Sequence, residues 1–513
     1  MVYNIIHHSI KQEEYMDTKR ITALLLAALM TGSLFACGEE ADPAQTTGET
    51  EQTAETVQET EEISYIDALP EADYAGATFR PYGANSLNGH EYATTLQFSC
   101  GETTGEPAND ILFERTAYLE SIYNVKFEEI IEPQNIDPSK VIANIQAGDS
   151  AYDMFYSDIA WQGYNIVIKG CVYPVDMVKG IQIDKPYWAS EITEALTIAD
   201  SFYFPAGPIS PRYYGSAYVL MFNREIVEDM NLEDPYTLVQ EGTWTIEKMM
   251  NMALQSYRDL DGNGTLDLND QMGLGYEVLT PESFLMGCGY HYVENVNGSL
   301  QCMLGDENLI SRMQWLRDQM LKEGIFWEGR SGFDYDAMLE GGRMLFGNPC
   351  TFVLPVFREY DYDFGILPMP KENEMQENYI SYAQPWVVSV PYVPVTNVGD
   401  TLSMTGVLID AMAAYGYEKV RPVIYEDVIC LKNTRDEASS RIVDMIFDTI
   451  TIDAAVCVGL DGFYSELQQF FCHKLGQQEI TSLYATHKGS VESFFVTLEE
   501  QFREMRATLE GSK

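Results

Sequence analysis

The loop from Asp259 to Asp270 has the residue types and the spacing of a binding site for a hard cation. Oxygen-bearing side chains stand at loop positions 1, 3, 5, 9 and 12, namely Asp259, Asp261, Asn263, Asp267 and Asp270. Gly264 takes position 6, where the chain must turn sharply, and Thr265 at position 7 would offer its backbone carbonyl. The pattern predicts a Ca²⁺ site, and the alternative is an acidic Asx-rich turn without metal.

The last position of this loop is aspartate instead of the usual glutamate, which makes bidentate coordination by Asp270 less favourable. The sequence contains a single loop of this type, and no second helix pattern follows it. We therefore expect a structural calcium clip, and not a paired calcium sensor.

The sequence predicts a helix before this loop and a strand after it. An apolar run at Tyr218 to Phe222 predicts a buried strand, and a helix is expected from Arg224. Thr245 is expected to cap a second helix that leads into the loop, with Glu247 in its first turn, where the helix dipole favours an acid. Met272 to Gly275 then resumes an apolar strand.

Strands and helices alternate from Ala77 to Tyr156, and Asn109 is expected to cap the first helix. This rhythm predicts a mostly parallel sheet covered by helices, in which ligands bind at the carboxyl ends of the strands. Further on, Tyr382 to Val390 is predicted as one strand, and Ser490 to Leu509 as a helix that packs on the second lobe.

Several phrases in order resemble the extracellular solute-binding lipoproteins of carbohydrate ABC importers, the maltose-binding-like family 1 of Gram-positive bacteria. They are MFN at 221–223, GTWTIEKM at 242–249, the calcium loop, YDAMLEGGRMLFG at 335–347 and YDFGILPMPK at 362–371. The resemblance extends from about Asp73 to the end of the sequence.

The resemblance implies an α/β, two-lobed periplasmic-binding-protein-like fold of type II, with mixed sheets flanked by helices and a hinged cleft. Residues 64–215 and 372–430 would form the first lobe, and residues 216–371 and 431–513 the second. The implied function is to capture a sugar or oligosaccharide in the cleft and deliver it to an ABC transporter permease, as a monomer.

Candidate ligand-binding residues are polar and aromatic side chains in loops at the predicted strand ends and crossovers. Aromatic residues make up 12% of the chain, and sugars stack their C–H faces on aromatic rings while their hydroxyls pair with Asp, Glu, Asn or Arg. The candidates are Asp158, Trp161, Arg212, Tyr213, Glu282, Phe352 and Trp386. The alternative for each aromatic residue is packing in a core.

The first 36 residues have the layout of a secretory signal, in which Lys19 and Arg20 precede an apolar run. Leu34 to Cys37 resembles a lipobox, which implies a lipid on Cys37 and an anchor at the outer face of the cytoplasmic membrane. Met16 is expected to be the true start. Residues 37–63 are rich in Glu, Thr, Gln and Ala and predict a disordered acidic tether.

The net charge of −48 argues against nucleic acid as a partner and against electrostatic docking on an anionic membrane. No serine-nucleophile, phosphate-loop or dinucleotide motif is present, so the sequence favours a binding protein over an enzyme. A lipid-anchored carbohydrate hydrolase and a ligand-sensing lipoprotein remain alternatives, and a peptide or other small solute could replace the sugar. The eight cysteines besides Cys37 could be free thiols or could form disulfides.

Overall fold

Two β-sheets, one of four strands and one of five, form the centres of two lobes in the computed structural model of the chain. The structure describes residues 64–85, 98–264, 267–327, 335–429, 437–471 and 479–511. The predicted signal, Cys37 and the predicted tether lie outside the described residues, and so does Thr265 of the metal loop.

The strands are short, and most of them are buried. They are β1 (Ala77–Phe79), β2 (Pro81–Ala84), β3 (Val125–Phe127), β4 (Ile130–Glu132), β5 (Met154–Asp158), β6 (Leu220–Asn223), β7 (Met272–Tyr276), β8 (Val293–Val296), β9 (Ser299–Cys302), β10 (Ile325–Trp327), β11 (Met344–Gly347), β12 (Phe364–Leu367), β13 (Ser381–Tyr382), β14 (Ser389–Tyr392) and β15 (Ile450–Thr451).

Helices cover the sheets and connect the strands. They are α1 (Pro107–Tyr123), α2 (Pro138–Gln146), α3 (Tyr164–Val167), α4 (Ser190–Ala195), α5 (Arg212–Gly215), α6 (Arg224–Asp229), α7 (Pro235–Gln240), α8 (Ile246–Ser256), α9 (Thr280–Gly287), α10 (Glu307–Met320), α11 (Tyr335–Glu340), α12 (Gly399–Tyr415), α13 (Arg421–Ile429), α14 (Glu437–Asp448), α15 (Ala454–Val458), α16 (Phe463–Phe470) and α17 (Ile480–Gly511). Turns of 3₁₀-helix span Val175–Met177, Thr351–Glu359 and Gly459–Gly462, and turns of π-helix span Ile159–Gly163 and Gly416–Val420. None of the described helices is long and apolar enough to cross a membrane.

The first sheet has the strand order β14-β5-β2-β4, in which β14 alone runs antiparallel to its neighbour. The second sheet has the order β10-β7-β11-β6-β12, in which β6 is antiparallel to both of its neighbours. Each sheet is otherwise parallel, so several strand ends meet at one edge, where open α/β sheets bind ligands.

Strand β5 separates two hydrophobic cores of the first lobe by simple alternation. Met154 and Tyr156 pack with α1 and α12 in one core, whereas Phe155 belongs to the other. That second core continues into the second lobe and contains Leu274 of β7 and Phe346 of β11. The two lobes therefore share one continuous apolar core in this structure.

Strand β7 and helix α8, which flank the metal loop, pack without a side chain between them at one point. A Cβ atom added to Gly273 would lie 1.9 Å from the carbonyl oxygen of Ala253. Only glycine fits there, because the strand passes directly against the helix backbone. This close contact fixes both ends of the loop that connects α8 to β7.

Of three predictions of local structure, one is confirmed and two are wrong. Thr245 caps α8 as expected, because its hydroxyl accepts the Lys248 N–H at 3.3 Å. Asn109 does not cap the first helix, which already begins at Pro107, where the fixed φ of proline starts the helical turn. The predicted strand from Tyr382 to Val390 is broken by a turn in which the Val387 and Val388 N–H groups donate to the Gln384 carbonyl.

Helix α17 is longer than the sequence predicted and contacts both lobes. Near its start, Tyr484 lies against Gly305, which precedes α10 of the second lobe. Near its end, Gln501 donates to the Ile168 carbonyl at 2.7 Å, and Arg506 pairs with Asp176 at 2.6 Å, both in the first lobe. The prediction that this helix packs on the second lobe therefore holds for its first half only.

The contact of Phe502 with the first lobe gives a test of this bridge. Phe502 is fully buried and lies edge-on against Tyr203 at 5.4 Å between ring centroids. We expect Phe502→Ala to cost about 3–5 kcal/mol locally through the cavity it leaves. Hydrogen exchange should then rise in the second half of α17 and stay unchanged in the first half.

The matched control is Leu483→Ala, since Leu483 is also buried but lies in the half of α17 next to the second lobe. This variant should raise exchange in the first half of the helix. Equal loss of protection along the whole helix in both variants would contradict a bridge with two separate attachments.

Candidate binding cleft and metal loop

Asp158 ends β5 at the edge of the first sheet and lies opposite Ser389, the first residue of β14. Its side chain is only 3% exposed, and its Oδ1 accepts the Gln162 N–H at 3.1 Å. The carboxylate therefore caps the helical turn that follows the strand. This turn contains Trp161, whose side chain is outside what the structure describes.

Arg212 lies at the same sheet edge and is 2% exposed. Its guanidinium donates to the Ala84 carbonyl at 2.6 Å and to the Ser389 hydroxyl at 3.4 Å. Burial lowers the pKa of Arg212 to about 10, while the nearby Tyr156 and Asp158 act in the opposite direction. Arg212 therefore remains a cation at neutral pH, and these bonds hold together the ends of β2 and β14.

Glu282 projects from α9 of the second lobe and is 4% exposed. Each of its carboxylate oxygens accepts a tyrosine hydroxyl, Oε1 from Tyr382 and Oε2 from Tyr464, the latter at 2.6 Å. Burial raises the pKa of Glu282 to about 8, the neighbouring Asp453 raises it further, and the two hydroxyls oppose the shift. A carboxyl group that is largely protonated at neutral pH thus lies among tyrosines.

Asp453 supplies a second buried carboxylate next to Glu282, and the sequence did not single it out. It accepts the backbone N–H groups of Tyr292 at 2.6 Å and Ala455 at 2.7 Å, and so caps α15. Burial raises the pKa of Asp453, while His291, at 4.0 Å from Oδ2, lowers it. The only sequence signal was an Asp before a short apolar run, which is typical of many helix starts.

Helix α15 brings the polar groups of the two lobes together. Its residue Cys457 is buried, and its thiol pKa is raised by burial and then by Asp453, Asp158 and Glu282. Asp158 comes from the first sheet and Glu282 from the second lobe. Carboxylates of both lobes therefore lie within electrostatic range of one thiol. We call Asp158, Glu282, Asp453 and Cys457 the interlobe acid cluster.

The remaining candidates have different surroundings. Tyr213 is 8% exposed and packs edge-on against Tyr214 at 5.0 Å, and burial raises its pKa. Phe352 is half-buried in the helical turn Thr351–Glu359, which packs against α5. Trp386 is half-buried in the turn between β13 and β14. These three remain predictions as ligand contacts.

The metal loop brings together three of the side chains that its spacing predicted to converge. Carboxylate oxygens of Asp259, Asp261 and Asp270 all lie within 4.8 Å of one another. Asp270 is fully buried and accepts the backbone N–H groups of Leu260 and Asp267, each at 2.9 Å. The loop is closed by paired backbone hydrogen bonds between Arg258 and Gln271.

The donor set of the loop fits a hard cation. The Asn263 amide nitrogen donates to Asp261 at 2.7 Å and to Asp267 at 3.4 Å, so its positive end lies among the carboxylates. Half a rotation of that amide would present its oxygen instead. Oxygens from Asp, Asn and backbone carbonyls are the ligands that Ca²⁺ prefers.

No family model matches the chain, and no curated protein sequence matches it. Solved structures do share its fold. A sugar transporter from Rhizobium etli in an open conformation is 14% identical, covers 81% of this chain and 99% of its own, and has a TM-score of 0.56. At this identity the likeness establishes the fold, and it confirms the predicted two-lobed, type II periplasmic-binding-protein-like class.

Two other structures of similar fold carry ligands. An ABC transporter solute-binding protein from Thermotoga lettingae, bound with α-D-tagatose, is 13% identical over 82% of this chain and 100% of its own, with a TM-score of 0.50. UgpB from Mycobacterium tuberculosis, in complex with glycerophosphocholine, is 11% identical over 82% of this chain and 99% of its own, with a TM-score of 0.51.

The raised pKa of Glu282 predicts how stability depends on pH. The folded state holds a proton on Glu282 up to about pH 8, whereas a glutamate in the unfolded chain loses its proton near pH 4.5. The stability contribution is therefore complete below pH 4.5 and is lost as pH rises to about 8. Replacement by glutamine should flatten this part of the profile.

Melting temperatures measured from pH 4 to pH 9 for the parent chain and Glu282→Gln test this expectation. The difference between the two proteins should grow in favour of the glutamine variant as pH rises. Glu500→Gln, at an exposed position on α17, should follow the parent profile. Parallel curves for the parent chain and Glu282→Gln would contradict a raised pKa at Glu282.

Proposed function

We propose that the chain is an extracellular solute-binding protein that captures a sugar or oligosaccharide between its lobes and delivers it to an ABC transporter permease. One observation carries the proposal: buried carboxylates from both lobes, Asp158 and Glu282, lie within electrostatic range of the same residue, Cys457 of α15. The fold is that of solved solute-binding proteins, and one of them is bound with a neutral sugar.

The chemistry of the cluster suits a hydroxylated ligand. Carboxylates accept hydrogen bonds from sugar hydroxyls, and the hydroxyls of Tyr382 and Tyr464 can both donate and accept. In this structure those groups bond to Glu282. A ligand that enters between the lobes would replace these bonds with its own.

Closure of the lobes on the ligand is the proposed mechanism. A ligand shifts the equilibrium between open and closed forms only by its difference in affinity for the two. Contacts to Asp158 and Glu282 at once are possible only in the closed form, because the two residues belong to different lobes. The closed form would then dock on the permease, while the open form would not.

The binding test compares Asp158→Asn and Glu282→Gln with Glu500→Gln as the control. Thermal unfolding against neutral oligosaccharides and peptides should identify a stabilising ligand, because ligands of the native state raise the melting temperature with concentration. Each cluster variant should weaken binding of that ligand about tenfold, since a buried polar group left without its hydrogen-bond partner costs about 1–3 kcal/mol.

The control variant should bind as the parent does. A stabilising sugar that binds both cluster variants with unchanged affinity would place the site elsewhere. Stabilisation by peptides alone would keep the fold and overturn the carbohydrate assignment.

A hydrolase is the second candidate, because a raised carboxyl pKa such as that of Glu282 suits a general acid. Chromatography of the ligand after prolonged incubation separates the two functions. A binding protein returns its sugar intact, whereas a hydrolase returns shortened products that disappear in Glu282→Gln.

We also propose that the loop from Asp259 to Asp270 holds a structural Ca²⁺. The convergence of three carboxylates and the tight backbone closure of the loop support it. The side chain of Arg343 donates to the Leu268 carbonyl at 2.9 Å, which attaches the loop to the segment before β11 of the second sheet. A bound ion would therefore stabilise the second lobe.

Calcium should raise the melting temperature of the parent chain, by an amount equivalent to about 2.7 kcal/mol at a hundredfold excess over the dissociation constant. The double variant Asp259→Asn with Asp261→Asn should lose this shift. Asp229→Asn, which removes one exposed acid from the same lobe, should keep it. A calcium shift that persists in the double variant would exclude this loop as the site.

Attachment to the outer face of a Gram-positive cytoplasmic membrane through a lipid on Cys37 completes the proposal. It rests on the lipobox-like sequence before Cys37 and on the acidic tether that follows. The function would then be that of a surface-anchored receptor whose folded lobes lie away from the membrane.

A further inference from the structure

A groove of about 300 Å³ on the second lobe lies outside the interlobe acid cluster. It is bordered by the start of α8, one face of α10, Tyr290 and Glu372. None of its lining residues belongs to the cluster or to the metal loop. Its volume is at the lower end of the range of about 300–1,000 Å³ typical of small-molecule sites.

The floor of the groove is a fixed arrangement of aromatic and charged side chains. The Arg312 guanidinium lies 4.6 Å from the centre of the Trp315 ring and pairs with Glu372. Tyr290 donates its hydroxyl to Glu372 at 3.3 Å. Arg312 is 12% exposed and Glu372 19% exposed, so both groups are held in place and still face the groove.

One oxygen of Glu372 lacks an oxygen or nitrogen donor. Its Oε1 accepts from Arg312 and Tyr290, while its buried Oε2 has no such hydrogen bond and lies beside the Cys288 thiol, a weak donor. A buried carboxylate oxygen without a strong donor costs free energy. A ligand hydroxyl in the groove can reach this carboxylate only through Oε1, since Oε2 is buried.

The charges of the groove disfavour anionic ligands. Arg312 lies between Glu372 and Glu247, the latter at 3.5 Å, so its charge is offset and two carboxylates stand against one guanidinium. The paired Glu372 and Arg312 offer an acceptor and a donor side by side, which suits a hydroxylated ligand that also has an apolar face for Trp315.

We propose that this groove is a second saccharide-binding site, which takes a neutral sugar ring. A pair of adjacent hydroxyls donates to Glu372 and accepts from Arg312, and the C–H face of the ring contacts Trp315. The site is built on α8 and α10 of the second lobe, with Glu372 at the crossover between the lobes, and it shares no residue with the interlobe acid cluster. It would hold a glycan chain beside the protein while the interlobe site takes its end.

Ser311→Trp tests the site by filling the groove without removing any of these groups. Ser311 is exposed and bonds only to the Glu307 carbonyl of its own helix among the bonds described for its side chain. Ser493→Trp is the matched control, because Ser493 is an exposed residue of α17 whose hydroxyl bonds to the Gly489 carbonyl in the same way.

The probes are maltotriose, cellotriose and xylotriose, with glucosamine and galacturonate as charged comparisons. Calorimetric titration of the purified chain should show a site for at least one neutral trisaccharide that Ser311→Trp weakens at least tenfold and Ser493→Trp leaves unchanged. Trp315→Ala should weaken the same site, with melting curves recorded to confirm that each variant is folded.

The outcomes separate this proposal from the interlobe site. Trisaccharide binding that Ser311→Trp does not alter, or preference for a charged probe, would overturn the second site and leave the interlobe site intact. The absence of binding by any neutral trisaccharide would also overturn it. Binding lost in Ser311→Trp but kept in Glu282→Gln would support the groove and contradict the interlobe assignment.

Discussion

Burial of carboxylates between two sheets is the constraint on which the rest of the structure depends. Asp158, Glu282 and Asp453 are each less than 5% exposed, and a buried polar group without a partner is costly. The chain meets this cost with tyrosine hydroxyls, helix N–H groups and, for Glu282, retention of a proton. Segments that are distant in sequence must therefore meet at one place, and this requirement fixes how the lobes pack.

The sequence predicted those parts of the fold that depend on neighbouring residues. The cap at Thr245 and the convergence of three loop acids are local, since each follows from side chains within a dozen positions. The two-lobed class was also predictable, because the order of several weak motifs is more specific than any one of them.

The hydrogen-bond partners of the candidate site residues were not predictable, because they are distant from those residues in the sequence. Glu282 meets Tyr382 and Tyr464, which are 100 and 182 positions away. No periodicity within a segment carries that information. The sequence also did not show that Arg212 would bond to the Ala84 carbonyl, since a buried arginine and a ligand-binding arginine look the same in a sequence. A short turn at Gln384, where Pro385 follows, interrupted a segment that alternation alone predicted as one strand.

Helix α17 couples the two lobes mechanically. Its 32 residues span about 48 Å at 1.5 Å per residue, and its two halves attach to different lobes. If the helix stayed straight and moved with one lobe, a rotation of about 10° between the lobes would displace its far end by about 8 Å over this length. Opening of the lobes must therefore bend the helix or break the contacts of Phe502 and Arg506. The contacts made by the last turns of α17 therefore oppose opening of the lobes.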